Sequence, residues 1–513
     1  MQQLSQVAYI DHYPFFQEWL INTAKTVSSR LRRSQDHFIN GKRVKASKHR
    51  DVVDPATEKV ITRVGLGGKR EINLAVQAAR KAFPKWSVSA PDERTRIILK
   101  YADLIEENQD VFTELAIRDG GIPRAVAETC AFFCALFLRY YAGWPTKITG
   151  QTLPSTPHGK DLADVLAYTL REPIGVVGGI TPWNYAFGME MLKIAPALAT
   201  GCCLVLKPAE EAPIAGLFLA ELAHQAGVPD GVFSVVNGLG HQAGAALAEH
   251  PDVDKIAFTG STEVGRLIVH AATGNLKKVS LELGGKSPVF VFPDADMDLA
   301  IPGAAMAGFA MSGQNCVCGS RLYVHKDVAD QVAEGIAAFA AQLSMGSTQN
   351  ANSDIGPLIS AKQRNRVEKM IRNAKKQGAK LVCGGARGKG KGFYIQPTLF
   401  DHCKPSMELV KNEVFGPVIA MQRFSDKHDF EALAAMANDS CYGLSGSVWT
   451  RDLQTAMVMT KAINTGQIGV NCHAAMDPSM PFGGTKESGW GAEFGEAGIE
   501  LFTKDKAVTL MWN

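Results

Sequence analysis

Between Arg171 and Phe292, short apolar runs recur at a regular beat: Gly175–Ile180, Cys203–Leu206, Val232–Val236, Ile256–Phe258 and Val289–Phe292. None of them alternates apolar with polar residues, so each describes a strand buried on both faces. Most of the intervening stretches carry helical patterns, such as IAGLFLAELAHQAG from Ile214 to Gly227. Buried strands joined by helices are parallel strands joined by crossovers, which defines a doubly wound α/β sheet. Upstream, EINLAVQAARKAF puts Ile72, Val76, Ala79 and Phe83 on one helical face. After Gly284 the pattern restarts. Val328, Val332, Ile336, Phe339 and Leu343 mark another amphipathic helix, and Tyr394–Leu399 and Val418–Phe424 read as strands of a second α/β domain.

A chain of 513 residues exceeds one compact core and divides into roughly two to four domains. Two strand-like pieces fall outside both α/β domains, around Ile148–Leu170 and Phe502–Trp512. They read as edge strands in need of a partner, pairing between subunits. Residues 1–35 form an extension of partly helical character, with Tyr13, Phe16, Trp19 and Leu20. With 46% hydrophobic and 20% charged residues the composition is that of an ordinary globular protein. A net charge of +3 gives no reason to expect a nucleic-acid partner, and the basic stretch Arg30–Arg50 reads as a solvated face.

The N-terminus shows no basic region followed by an apolar one, so no secretory signal is expected. No run approaches the roughly 18 apolar residues of a membrane helix, so no membrane association is expected. Ten cysteines are too sparse for a disulfide scaffold. A reducing, cytoplasmic setting follows as the expectation. Cys130 and Cys134 sit in an apolar helical stretch and read as core packing.

Five stretches carry chemistry. TPWNYAF (Thr181 to Phe187), LKPAEEAP (Leu206 to Pro213) and FTGSTEVG (Phe258 to Gly265) each begin at the carboxyl end of a buried strand. Ligands of open α/β sheets bind beyond those ends, so the three converge on one crevice. FTGSTEVG offers free N–H groups at a helix start and the Ser261 hydroxyl, which suits a pyrophosphate, although it is not the usual GxGxxG. Gly238 to Gly244 (GLGHQAG) stands nearer that fingerprint but lacks an acidic residue about 20 positions on. In KPAE a lysine and a glutamate leave a strand together. The carboxylate can take both hydroxyls of an adenine ribose and repel a 2′-phosphate; alone, the pair reads first as a surface ion pair worth under about 1 kcal/mol. The fourth stretch is LELGGKSP, Leu281 to Pro288.

The fifth is GQNCVCGSR, Gly313 to Arg321. Zinc would need further ligands at suitable spacing, and His325 is the nearest histidine, seven residues past Cys318 in a predicted strand. No metal is therefore expected. A disulfide between Cys316 and Cys318 would be strained. A buried, inert pair is one reading. The small polar surroundings support another, in which one thiol approaches a ligand with a backbone N–H beside it to bind an oxyanion.

Taken in order, PWN, KPAE, FTGSTEVG, LELGGKSP, GQNCVCGSR, EVFGPV (Glu413 to Val418) and PFGGTKESGWG (Pro481 to Gly491) resemble the NAD(P)-dependent aldehyde dehydrogenase superfamily, with the likeness running from FING (Phe38 to Gly41) to the C-terminus. Each motif alone is weak; seven in register are highly specific. The resemblance implies a Rossmann-like cofactor domain (36–150 and 171–283), a catalytic domain (284–497), and oligomerisation strands at 151–170 and 498–513 that build a homodimer or homotetramer. It implies Cys316 as nucleophile, the Asn184 amide and the Cys316 N–H as oxyanion donors, Glu282 as general base, and Lys193 and Glu493 as a proton relay. Cys318 matches a position without a catalytic role. For NAD it implies Lys207 and Glu210 at the adenosine ribose, Trp183, Gly260, Ser261 and Gly265 near the pyrophosphate, and Glu413 with Phe415 at the nicotinamide ribose. Glu210 makes NADP the less favoured cofactor.

The chain departs from the common pattern where the substrate tunnel begins. Tyr185-Ala186 follows Asn184 where many relatives have an aromatic residue and then proline, and Leu192 stands where tryptophan is common. Tyr185, Met189, Phe309, Met476 and Phe482 would line an apolar, partly aromatic tunnel. NCHAAMDPSMPFGG (Asn471 to Gly484) and AGWPTKITGQTLP (Ala142 to Pro154) most resemble the phenylacetaldehyde dehydrogenase branch. Broad-range aliphatic or terpenoid aldehydes are the alternative substrates. A CoA-acylating relative would not need Glu282.

Overall fold

The computed structural model describes residues 26–154, 164–350 and 352–512. The aromatic face at Tyr13–Leu20 lies outside them.

The first sheet has eight strands in the order Lys42–Val44, His37–Ile39, Phe233–Val235, Cys203–Lys207, Val176–Ile180, Lys255–Thr259, Lys278–Glu282 and Gly489–Trp490. Its central strands are parallel and its flanks antiparallel. The strands Val176–Ile180, Cys203–Lys207 and Lys255–Thr259 are buried at every position, which is why they read as unbroken apolar runs. Chain order reverses beside Val176–Ile180: the next strands run to one side, and Lys255–Thr259 with Lys278–Glu282 lie on the other. That reversal is the switch point at which such sheets bind ligands.

Helices cover both faces. Lys69–Trp86 buries Ile72, Val76 and Ala79, with Phe83 half-buried. Among the described residues one stretch, Arg124–Ala142, is long and apolar enough to cross a membrane. It breaks at Glu128–Thr129, and its Cys130–Ala142 part packs Cys130, Cys134, Phe137, Leu138 and Tyr141 into the core.

The second sheet runs Lys380–Cys383, Thr398–Asp401, Val418–Phe424, Arg321–His325, Pro288–Val291, Ser445–Trp449 and Gln467–Val470. The run Val289–Phe292, which continues the beat of the first domain in sequence, belongs here. The strand read at Tyr394–Leu399 begins only at Thr398, since Pro397 has no N–H to give a ladder.

Within the chain, the pieces expected to pair between subunits pair with one another. Asp164–Pro173 and Thr503–Trp512 form a long antiparallel ladder from Thr503 opposite Pro173 to Trp512 opposite Asp164, with Thr152–Leu153 on the other edge. Leu166, Leu170, Leu510, Met511 and Trp512 remain exposed on this small sheet.

Asp119, near the end of helix Gln109–Gly120, is buried and accepts the Ile214 N–H at 3.0 Å, at the start of helix Ile214–Ala226. Burial pushes its carboxyl up to about 8, against the pull of the Ile214 and Ala215 N–H groups. Burial and Asp119 likewise raise Glu190, whose two carboxyl oxygens have no hydrogen-bond partner among the described residues. An unfolded aspartate ionises near pH 3.9. Between that pH and about 8 the native chain keeps a proton that the unfolded chain releases, so stability falls as pH rises through this window. Asp119→Asn removes the slope while leaving an acceptor for Ile214. Its Tm relative to wild type should be higher at pH 8 than at pH 5 in calorimetry; an unchanged difference would show that Asp119 is ionised in the fold.

Candidate active site

One cleft opens at the switch point. It is lined by Trp183, Asn184 and Met189 after the first central strand, Thr259–Ser261 after its neighbour, Leu283–Gly284, Cys316, and Glu413 with Phe415. The three strand-end motifs and the second domain therefore meet in one place.

The two cysteines part company there. Cys316 is half-buried and lines the cleft, whereas Cys318 is buried with its Sγ toward the Gly308 carbonyl at 3.6 Å. The loop before the thiol is unusual: Met311, Ser312 and Gly313 have φ of 53°, 58° and 65°. Left-handed non-glycine residues cost free energy and gather at functional sites. Beyond the thiol, the Val317 N–H donates to Asn315 Oδ1 at 3.2 Å, and His473 Nε2 meets the Val317 carbonyl at 2.7 Å, its Nδ1 lying 3.0 Å from Ser447 Oγ. A Cβ at Gly285 would sit against the Cys316 carbonyl, inside the 3.0 Å that real Cβ atoms respect. Burial, then the Glu413 and Glu282 carboxylates, push the Cys316 thiol up to about 12.

Glu282 ends the strand Lys278–Glu282, is buried between Leu281 and Leu283, and leaves its Oε2 without a partner among the described residues. Burial raises its carboxyl well above the usual range; Glu493 adds to this and Lys193 opposes it. The Lys193 ammonium is fully buried, donates to Thr259 Oγ1 at 2.7 Å, and pairs with the Glu493 carboxylate. A protonatable carboxyl thus stands beside a buried ion pair, an arrangement able to hold and pass a proton.

The residues expected at the cofactor divide into three groups. Lys207 Nζ donates to Glu210 Oε2 at 2.9 Å, and the Gly240 N–H points at Glu210 Oε1 at 3.5 Å. The stretch Gly238–Gly244, whose residues Gly240–Gly244 form a π-helical turn, therefore meets Glu210. Burial alone would raise the Glu210 carboxyl; the Lys207 charge and hydrogen bonds outweigh it and keep Glu210 below its ordinary value, hence ionised. Ser261 caps helix Thr262–Ala272 by accepting the Val264 N–H at 3.3 Å. Gly265 lets that helix press on Leu283, 2.7 Å from where a Cβ would stand. The Trp183 and Phe415 rings meet edge-to-face at 5.3 Å, and Glu413 Oε1 accepts the Gly285 N–H at 2.9 Å. An ionised carboxylate, a helix N-terminus and a carboxylate flanked by aromatic rings fit the ribose, pyrophosphate and nicotinamide riboside of a dinucleotide.

The residues expected in the tunnel separate. Met189 lines the cleft, and Tyr185 lines a small neighbouring cavity of about 10 Å³ with Gly121, Ile122, Met311 and Gln314. Phe482 is buried and stacks on Phe494 at 5.2 Å, while Met476 is exposed. Phe309 is a correction. It is fully buried in the core of the second domain, packed with residues such as Ile419 and Trp449, and lines neither cavity. As the last residue of helix Met297–Phe309 it falls on the face turned to the sheet.

Two lining residues were missing from the sequence reading. Gln363 Nε2 donates to the Phe415 carbonyl at 2.8 Å, and Arg366 to the Glu413 carbonyl at 3.1 Å. Their helix, Ala361–Lys376, is polar almost throughout. The one signal was positional: Gln363 continues the buried stripe Val367, Met370, Ile371 and Ala374.

A nucleotide-binding switch point facing a half-buried thiol defines a cofactor-dependent oxidoreductase. The chain belongs to the aldehyde dehydrogenase family, whose sequence profile matches residues 43–508, and it is an NAD-dependent aldehyde dehydrogenase. It is 43% identical over 478 residues to aldehyde dehydrogenase 1 of Tanacetum cinerariifolium, covering 92% of this chain and 94% of that one. With aldehyde dehydrogenase 1A1 of Mesocricetus auratus it shares 42% identity over 466 residues, 90% and 91% of the two chains. The NAD+ complex of the aldehyde dehydrogenase from Bacillus cereus superposes with a TM-score of 0.92 at 39% identity, covering 95% of this chain and 99% of that one.

A thiol held up to about 12 is almost wholly protonated at pH 7, and alkylation needs the thiolate. Without cofactor, the rate of Cys316 carboxamidomethylation should rise about tenfold per pH unit from pH 7 to 9 with no plateau, followed by mass spectrometry of the tryptic peptide. A plateau below pH 8 would mean that the free enzyme already holds a thiolate.

Proposed function

We propose that this enzyme oxidises phenylacetaldehyde and comparable aromatic or medium-length apolar aldehydes to their acids. The observation that supports the reading is the position of Cys316, which lines one cleft together with Asn184, the apolar Met189 and the aromatic Trp183 and Phe415. The Cys316 thiol gives its proton to the Glu282 carboxylate as its sulfur attacks the aldehyde carbon, and the resulting thiohemiacetal oxyanion is held by the Asn184 amide and the Cys316 N–H. One such donor is worth about 100- to 1,000-fold in rate. NAD, when bound, supplies the acceptor for the hydride that leaves this carbon. Glu282 takes a proton from the water that hydrolyses the remaining thioester, which releases the acid and restores the thiol. Burial raises Glu282 together with Cys316, which suits a carboxyl that must bind a proton and give it up near neutral pH. The Lys193–Glu493 pair beside it carries the proton onward. Glu282 also argues against a CoA-acylating role, which needs no such base.

Apolar surface removed from water stabilises a bound phenyl group by about 25 cal/mol per Å², far more in total than the methyl of acetaldehyde. Neighbours differing by one methylene differ by only about 1–3 kcal/mol, so the range is broad. Cys316→Ala should abolish NADH formation while NAD still quenches tryptophan fluorescence, and Cys318→Ala should keep activity. Among acetaldehyde, hexanal, benzaldehyde, phenylacetaldehyde and betaine aldehyde, kcat/KM should peak at phenylacetaldehyde. A peak at acetaldehyde or betaine aldehyde would overturn the substrate assignment.

We further propose a homodimer or homotetramer in a reducing cytoplasm. All ten cysteines are free, which suits that compartment. The exposed Leu510, Met511 and Trp512 on the small sheet suit burial against another subunit. Light scattering at micromolar concentration should give a multiple of 55.2 kDa, and a monomer mass would refute the assembly.

A further inference from the structure

The loop that leads into Cys316 is strained and has to be held. Its left-handed residues Met311 and Ser312, with φ of 53° and 58°, persist only where the surroundings over-determine them. Upstream of the thiol, Ser312 Oγ donates to the Gly356 carbonyl at 2.7 Å. Gln314 donates to the Pro357 carbonyl at 3.3 Å and accepts the Ile359 N–H at 2.9 Å. Downstream, the Gly319 N–H donates to the Ala307 carbonyl at 2.8 Å. Residues 315–318 span the interval and carry the thiol. Among the described residues, His473 is the one side chain outside this loop that hydrogen-bonds to the span, its Nε2 lying 2.7 Å from the Val317 carbonyl. Its Nδ1 lies 3.0 Å from Ser447 Oγ, in the middle of the strand Ser445–Trp449. A carbonyl only accepts, so Nε2 carries the hydrogen and Nδ1 accepts from the serine. Desolvation lowers the pKa of the ring against the pull of the Val317 carbonyl, which keeps it in this neutral form. A Cβ at Gly319 would stand 3.3 Å from His473 Cε1, so the ring lies against bare backbone.

We infer that His473 is a positioning residue for the nucleophile: its ring ties the Val317 carbonyl to Ser447 of the second sheet and so keeps Cys316 in place at the cleft. This rests on the reading of Cys316 as the nucleophile, which Cys316→Ala decides separately. Val317 directly follows the thiol, so slack at its carbonyl reaches Cys316 through a single residue. A misplacement of about 1 Å at a reacting atom costs about 100-fold in rate. Because the nucleophile is common to every aldehyde, a lost hold on it slows the chemical step whatever the acyl group. Lys207 and Glu210, paired at the end of a strand of the first sheet, do not depend on it.

The test compares wild type with His473→Phe, His473→Asn, His473→Gln, Ser447→Ala, and His473→Phe combined with Ser447→Ala. Each is assayed on acetaldehyde and phenylacetaldehyde, with NAD binding followed by tryptophan quenching. Glutamine places a donor where Nε2 stands, asparagine where Nδ1 stands, and phenylalanine keeps a ring without either. His473→Phe and His473→Asn should lower kcat at least about tenfold, by a similar factor on both aldehydes, with NAD affinity within about threefold of wild type. His473→Gln should recover most of that loss. Ser447→Ala should lower kcat less, and should cost nothing further once His473→Phe is present. If His473→Phe is insoluble, the contrast between His473→Gln and His473→Asn reports the same hold on Val317. A ring that merely filled space would give phenylalanine the advantage over glutamine. That order, a loss confined to KM or to one aldehyde, additive effects in the double variant, or insolubility of every His473 variant would overturn the inference.

Discussion

The architecture depends on a place where two backbones come too close for any side chain. Gly284 and Gly285 follow the strand that carries Glu282 and begin the crossing into the second domain. A Cβ at Gly284 would stand 2.8 Å from Glu413 Oε2, and one at Gly285 would strike the Cys316 carbonyl. The Gly285 N–H in turn holds Glu413 at 2.9 Å. Glu282, the thiol loop and Glu413 are thereby positioned by one dipeptide at the junction of the two sheets. Only glycine permits this approach without displacing one of them.

Electrostatics around this junction follows from the same closeness. Burial raises Cys316, Glu282 and Glu413 alike, so the site disfavours the accumulation of negative charge. The cation that compensates at Glu282 is Lys193, itself fully buried and bound to Thr259 and Glu493, while Arg366 and the buried Lys286 do so at Glu413. Removing one partner of a buried pair leaves an uncompensated charge, which makes such networks costly to break. The second domain contributes restraint through hydrogen bonds: His473 grips the loop after the thiol, and Gln363 and Arg366 grip the loop after Glu413.

Much of the fold was legible because burial on both faces writes itself into composition. Val176–Ile180, Cys203–Lys207 and Lys255–Thr259 were found within a residue or two of their ends. Lys278–Glu282 was not read as a strand, since its first residue is exposed and two of its five are charged. The strand-like pieces around Ile148–Leu170 and Phe502–Trp512 contain the strands Asp164–Pro173 and Thr503–Trp512, and nothing in their pattern revealed that these complement each other. At the site, Cys316 and Cys318 were separable only through the order of the surrounding motifs. Phe309 was misplaced because an aromatic residue near a tunnel motif carries no sign of which way its helix faces. Gln363 and Arg366 were overlooked because polar residues on a polar helix look like solvent contacts.

The sheet that cradles the nucleotide takes its flanks from opposite regions of the sequence. Phe38 pairs with Val235, and Leu281 and Glu282 pair with Trp490 and Gly489. Both closures join residues far apart along the chain, which slows folding relative to local contacts. During vectorial synthesis the Rossmann-like half cannot mature when its own residues have emerged. Its edge beside Glu282 stays open until Trp490 has left the ribosome, with the whole second domain translated in between. A nascent or truncated chain ending short of that residue carries both the thiol and the carboxyl, yet lacks the strand that fixes the carboxyl in place.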